Sequence, residues 1–237
     1  MSNPLTLQII GRVRTPFPEK FGIPRQSGLV EVPGIIEMEP PWDERGFFEG
    51  LEEVSHLWIT FLFHGVTDQG WKGRVRPPRL GGNRRLGVFA TRSPFRPNHL
   101  GLSVVRLREI ESHGGRRTKL HVFGVDLLDG TPVLDIKPYI PYVDAIPDAH
   151  GGFAAEAPGQ MLRVRFDPQV EAALAGTKEG RDLIDLIRSL IALDPRPAYA
   201  SGSRREREYG MRFRQWNIRW IVDDARDLAR VIAVEPQ

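Results

Sequence analysis

Through the first 150 residues, apolar positions recur mostly at every second residue in short runs, the period of a half-buried strand. Leu7, Ile9, Gly11 and Val13 alternate with polar or smaller positions until Pro16 stops the pattern. Residues 29–39 give a second run, closed by Pro40-Pro41. Residues 55–63, SHLWITFLF, are rich in β-forming residues and nearly apolar on both faces, as in a central strand covered on both sides. Runs at 86–90, 102–110, 120–125 and 133–136 follow, separated by Gly, Pro and Asn clusters. Residues 71–83 contain Pro77-Pro78 and Gly81-Gly82 and read as a long loop without regular structure. Many short strands with regular turn signals predict a closed or nearly closed β-barrel.

The period changes after residues 147–159, where Pro, Ala, Gly and His dominate and a domain boundary is expected. Residues 161–166 read as a strand and 168–174 as a short helix. Residues 179–193 place Leu183, Ile184, Leu186, Ile187, Leu190 and Ile191 on one helical stripe, ended by Asp194-Pro195. Trp216, Ile218, Trp220 and Val222 alternate again, 223–227 turn, and 228–234 return. The expected fold is therefore mainly β with an α+β appendage. A single-sheet barrel domain over 1–150 precedes a small α+β domain over 158–237.

With 41% hydrophobic and 27% charged residues over 237 positions, the chain is an ordinary globular sequence. No apolar run is long enough to span a bilayer, and the first residues lack a signal-peptide pattern. Cysteine is absent, which excludes disulfides and thiolate metal sites and suits a cytoplasmic location. Charge changes the picture more. Residues 69–108 hold ten bases and no acid, although even spacing of the 30 acids would put about five there. That +10 segment sits in a chain of net charge +3, and arginines outnumber lysines overall. Arginine forks suit phosphate recognition and base stacking, so a polyanionic partner is expected, with a solvated surface loop as the plainer alternative.

Several kinds of site are missing from the sequence. No G-x-G-x-x-G follows a strand, and no P-loop or G-x-S-x-G elbow occurs. The six histidines lack the i, i+4 pairing of a helical zinc site, and no metal is expected. Glu39-Pro40-Pro41-Trp42 resembles an amino-methyltransferase signature but begins with the longer acid and lacks a doubly wound sheet; it reads as a turn.

Three loop segments are unusually specific. They are FGIPRQSG at 21–28, RPPRLGGN at 76–83 running into GVFATRSPFRPNHLG at 87–101, and DLLDGTP at 126–132 followed by DIKPYIP at 135–141. With SHLW at 55–58 and DPRPAY at 194–199, they closely resemble the TrmO (YaeB-like) family of S-adenosylmethionine-dependent tRNA methyltransferases. The resemblance covers essentially the whole chain. It implies a single-sheet barrel that binds the cofactor, a homodimer, and methylation of N6 on the threonylcarbamoylated adenosine 3′ of the anticodon in threonine tRNA. Family members usually have Pro where this chain has Ser27, and Asn-Pro-Ile-Gly where it has Asn98-His99-Leu100-Gly101.

By that resemblance the cofactor residues are Pro24, Arg25, Gln26, His64, Gly65, Arg92, Leu102, Leu128, Asp129, Gly130, Thr131 and Pro132. The acceptor nitrogen must lose a proton, which calls for a carboxylate within reach. Asp126, Asp129 and Asp135 lie nearest the cofactor loop; Asp126 is preferred as base, with Tyr139 as a second catalytic candidate and Tyr142 close by. Arg74, Arg76, Arg79, Arg84, Arg85 and Arg96 are candidates to track phosphates of the tRNA anticodon stem-loop, and Trp71 or Phe95 to stack on a loop base. Arg204, Arg205 and Arg207, with Tyr199, form a second basic cluster. Each has an ordinary alternative: a hairpin turn, a solvated loop, a capped carboxylate. The competing class is a non-catalytic RNA-binding barrel, which would have no need of the Gly/Pro cofactor loops.

Overall fold

A computed structural model describes residues 6–158, 161–197 and 207–237. In chain order its strands are β1 (Gly11–Arg14), β2 (Pro33–Met38), β3 (His56–Leu62), β4 (Arg74–Val75), β5 (Leu86–Gly87), β6 (Leu100–His113), β7 (Arg116–Phe123), β8 (Thr131–Pro138), β9 (Arg163–Phe166), β10 (Glu208–Phe213), β11 (Trp216–Asp223) and β12 (Leu228–Pro236). The helices are α1 (Pro141–Asp144), α2 (Pro168–Ala175) and α3 (Lys178–Ala192). The chain divides into two compact units that are not contiguous in sequence. One holds Met1–Thr15, Gln26–Gly73 and Val88–Ile146; the other holds Pro16–Arg25, Arg74–Gly87 and Pro147–Gln237.

The first unit is a closed antiparallel barrel of strand order β1-β2-β7-β6-β3-β8. β1 closes it, pairing Val13 with Ile36 of β2 on one side and with Thr131 of β8 on the other. Alternate residues fill the interior, among them Val13, Ile36, Leu57, Ile59, Phe61, Val105, Leu120, Val122 and Val133. The β3 run differs from its expected form. Leu57, Ile59 and Phe61 point inward, but Trp58, Thr60 and Leu62 are only half-buried, because a barrel strand has one filled face. β6 and β7 form a long hairpin turning at Gly114 and Gly115, which have φ of +59° and +73°, values that glycine adopts without strain. Gly101 on β6 meets a different demand: a Cβ there would lie 2.2 Å from the Phe61 ring.

The second unit has a four-stranded sheet of order β10-β11-β12-β9, with β9 parallel to β12. α3 buries Ile184, Ile187, Leu190 and Ile191 on its expected stripe, and the Thr177 hydroxyl caps it by accepting from the Gly180 N–H at 3.0 Å. Ile218, Trp220 and Val222 alternate into the core as expected. Arg196 and Asp194 form a buried ion pair at 2.7 Å, and Arg196 also donates to the less buried Asp224 at 2.9 Å.

Two local expectations are corrected, and one strand has no counterpart in the sequence reading. Residues 86–90 are not one strand: β5 stops at Gly87, and Val88–Ala90 form a 3-10 turn. Residues 71–83 are not wholly irregular, since Arg74 and Val75 pair with Gly87 and Leu86. β10 carries no apolar run long enough to announce it, and only Met211 and Phe213 reach the core.

Candidate functional site at one end of the barrel

Antiparallel pairing sorts the barrel's connections by end. The registers Arg14↔Ile35, Pro33↔Phe123, Leu62↔Leu100 and Val13↔Thr131 put the C-terminal ends of β1, β3 and β7 beside the N-terminal ends of β2, β6 and β8. That end gathers His64 and Gly65 after β3, Asp126 and residues 128–130 between β7 and β8, and the 88–99 segment that feeds β6. Gln26 and Ser27 join them through the loop before β2, where the Gly28 N–H donates to the Gly124 carbonyl at 3.0 Å. Four segments far apart in sequence thus meet at one mouth.

At its centre is Asp126. Ser103, an inward-facing residue of β6 that is 4% exposed, donates its hydroxyl to Asp126 Oδ1 at 2.8 Å. The backbone N–H groups of Asp126 and Ser27 also donate to this carboxylate, and the positive charge of Arg92 acts on it. All of these favour the ionised form. Loss of hydration outweighs them, and the carboxyl is pushed up to about 6. Arg92 Nη1 donates to Gln26 Oε1 at 2.6 Å, so a guanidinium and a primary amide are held together beside this acid.

The turn before β8 is a tied structure. Asp129 Oδ1 accepts from the Thr15 N–H at 2.9 Å, the Thr15 hydroxyl donates to the Leu127 carbonyl at 2.9 Å, and the Gly130 N–H donates to Val13 O at 2.9 Å. The Thr131 hydroxyl donates to Leu128 O at 2.6 Å, and Pro132 lies opposite Arg12 in the ladder. Asp129 therefore holds the turn. Gly130, at φ +74°, borders open space, with nothing within 4 Å of where a Cβ would stand. His64 and Gly65 begin a 3-10 turn anchored where the Phe63 N–H donates to His99 O at 2.8 Å. His99 itself has φ +50°, which proline cannot reach, so the local backbone departs from a Pro-containing pattern.

Other expected residues fall elsewhere. Leu102 is on the outward face of β6, 53% exposed. Tyr139 follows β8 and so stands at the opposite end, its N–H donating to His56 O at 2.9 Å and its ring against Trp58. His56 is three residues along β3 from Ile59, the partner of Ser103, a separation of about 10 Å along the barrel. Tyr139 and Asp126 are therefore not brought together. Asp135 is exposed near Lys137 Nζ, and Tyr142 is 86% exposed. Pro24 and Arg25 belong to the second unit, where Arg25 Nη2 donates to the carbonyls of Arg196 at 3.2 Å and Asp194 at 3.4 Å.

The basic segment is divided as well. Arg74, Arg76, Arg79, Arg84 and Arg85 are exposed on the β4–β5 hairpin of the second unit, with Arg79 donating to Glu156 O. Arg96 belongs to the barrel unit and is committed internally, its Nη1 donating to Thr91 O at 2.7 Å and Val88 O at 3.4 Å. Lys72 caps the Phe95 ring at 3.8 Å, and Trp71 is 60% exposed. Arg207 stacks on Tyr209, whereas Tyr199, Arg204 and Arg205 lie outside the described residues. Among the described residues, no group of three or more His, Asp or Glu side chains could hold a metal ion. Sequence reasoning overlooks Ser103, whose only signal is a polar residue at an inward position between Gly101 and Val105.

Fold and site define a β-barrel protein with its polar chemistry at the barrel mouth, quite unlike a protein that binds across a doubly wound sheet. Residues 12–145 match the tRNA-methyltransferase O N-terminal domain, and residues 159–237 match the TrmO C-terminal domain. The tRNA (adenine(37)-N6)-methyltransferase of Escherichia coli (strain K12) is 44% identical over 230 residues, 96% of this chain and 97% of that protein. A Pseudomonas aeruginosa protein named as a putative S-adenosylmethionine-dependent methyltransferase is 47% identical over 228 residues, 95% of each chain. A crystal structure of TrmO from Pseudomonas aeruginosa has a TM-score of 0.78 at 39% identity, covering 100% of this chain and 99% of that one. The chain belongs to the tRNA-methyltransferase O family.

Proposed function

We infer that this protein transfers a methyl group from S-adenosylmethionine to N6 of adenine 37 in tRNA. The observation that carries the chemistry is the acid of altered proton affinity at the barrel mouth, Asp126, beside the Arg92–Gln26 pair. Family membership and the names of the relatives that match along nearly their full length support the reaction class. The donor set suits the cofactor: a guanidinium fork fits its carboxylate, a primary amide fits an adenine edge, and the open side of Gly130 leaves room. When bound, S-adenosylmethionine supplies a methyl group activated by its sulfonium.

The acceptor nitrogen is conjugated and must lose its N–H as the new N–C bond forms and the methyl–sulfur bond breaks, the electron pair leaving with a neutral thioether. Asp126 in its ionised form takes that proton, and the Ser103 hydroxyl and Ser27 N–H hold the carboxylate in place. Tyr139 is left out of this scheme because it occupies the other end. The acceptor we propose is the threonylcarbamoylated adenosine of threonine tRNA, as the family resemblance implies, with the exposed hairpin arginines Arg74, Arg76, Arg84 and Arg85 tracking stem phosphates. The same resemblance supports a homodimer, and a tRNA substrate supports a cytoplasmic location. Among the described residues no helix is long and apolar enough to cross a membrane.

The test is methyl transfer to a threonine-tRNA anticodon stem-loop carrying threonylcarbamoylated adenosine at position 37, at saturating donor, read by mass spectrometry. Wild type adds one methyl, and Asp126→Asn slows the reaction about a hundredfold or more. An unchanged rate in the variant rejects Asp126 as base, and RNA binding without product in wild type favours the non-catalytic barrel.

A further inference from the structure

Phe89 is 76% exposed, yet it is not on a loose loop. It sits in the 3-10 turn Val88–Ala90, whose first residue is 1% exposed and donates its N–H to Gly73 O at 3.0 Å. The Thr91 hydroxyl and N–H both donate to Val88 O, at 2.8 and 3.1 Å. Arg96 then clamps the turn through the Val88 and Thr91 carbonyls. Single exposed apolar side chains are common and mean nothing alone. A large ring held in water on a hydrogen-bonded turn is a different matter, since no backbone order remains to be gained when something covers it.

The surroundings say what would cover it. The Arg96 guanidinium carbon lies 5.9 Å from the Phe89 ring centroid, and Lys72 and Arg92 belong to the same acid-free segment. Three residues on, Arg92 contacts Gln26 and acts on Asp126, so the ring's turn leads directly into the candidate site. An aromatic platform among cations suits a base with its phosphate, the means by which proteins take single-stranded RNA. A basic peptide would be repelled by a segment that carries bases and no acids, whereas a polyanion is drawn to it.

We propose that Phe89 is a stacking platform for an unstacked base of the anticodon loop adjoining the acceptor nucleotide, held rigid by the Arg96 clamp. This deepens the function proposed above and rests on it. Ring stacking also gives the 88–99 segment a task distinct from that of the hairpin arginines, because a stacked base tolerates salt better than a phosphate contact.

The test uses the full-length protein and a synthetic threonine-tRNA anticodon stem-loop with threonylcarbamoylated adenosine at position 37, in intact form and with an abasic residue at position 36 or 38. Phe89→Ala should weaken binding of the intact stem-loop about five- to a hundredfold, and Phe89→Trp should restore it. One of the two abasic stem-loops should bind wild type as weakly as the intact RNA binds Phe89→Ala, with no further loss in that variant. S-adenosylmethionine affinity, melting temperature and mass by light scattering should stay unchanged. Wild-type stem-loop affinity in Phe89→Ala overturns the inference while leaving the function standing. Loss of donor affinity instead assigns the ring to the donor's adenine, and a change of mass assigns it to a contact between copies; either overturns it. No stem-loop binding by wild type overturns the inference and the functional reading together.

Discussion

Asp126 shows how little of a residue's chemistry its identity contains. In the sequence it is one of several aspartates between 126 and 135, and its acidity is set by neighbours from other strands. Its carboxyl is raised from an ordinary 3.8 to about 6, so between roughly those pH values the native state keeps a proton that the unfolded chain has released. Stability therefore falls as pH rises through that window and levels off above it. Asp126→Asn removes this component, and its melting temperature should drop less between pH 4 and pH 7 than that of wild type; equal drops would mean the carboxyl is not raised. Ser103 donates to the charged form, so Ser103→Ala should push the carboxyl higher still. The acid limb of the methyl-transfer rate should then move upward from near 6, with activity lost at pH 6 and recovered in alkali. An unmoved limb would leave Ser103 as packing only. Arg25, Arg96 and Asp129 make the opposite point, since residues marked for ligands also hold backbone carbonyls or turn amides.

Among elements, the barrel's mouth depends on β3 and β6 packing tightly enough to present Ser103. Gly101 makes that approach possible, because the Phe61 ring occupies the space a side chain would need. Gly101→Ala should cost about 1–3 kcal/mol in urea unfolding. Phe61→Leu in the same chain should recover part of that loss by freeing space; additive losses would show that the ring is not the obstacle. Most strands and α3 are legible because a two- or 3.6-residue period and bracketing Gly, Pro and Asn are local signals. β10 escapes such a reading because only two of its residues reach the core, and the 86–90 run stops early where Val88 turns inward to anchor a 3-10 turn.

Across the full protein, the acid-free basic segment is the feature with the longest reach, since a concentration of like charge attracts a polyanion before contact. Charge reversal of Arg84 and Arg85, both exposed on the β4–β5 hairpin, should lower the slope of log affinity against log salt by about two or more while leaving the fold intact. A slope equal to that of wild type would remove the hairpin from the RNA interface. The order of residues is enough for the strand-rich first part, the amphipathic helix, the charge segregation and the composite loops that resemble one family, because each follows from local sterics, periodicity or composition. It takes the folded chain to bring Gln26, Arg92, Ser103 and Asp126 to one end while Tyr139 stands at the other, and to make Asp126 hold its proton to about pH 6. Strand pairing chooses which distant segments meet, and a carboxyl's hydration is lost to all the atoms that pairing assembles around it.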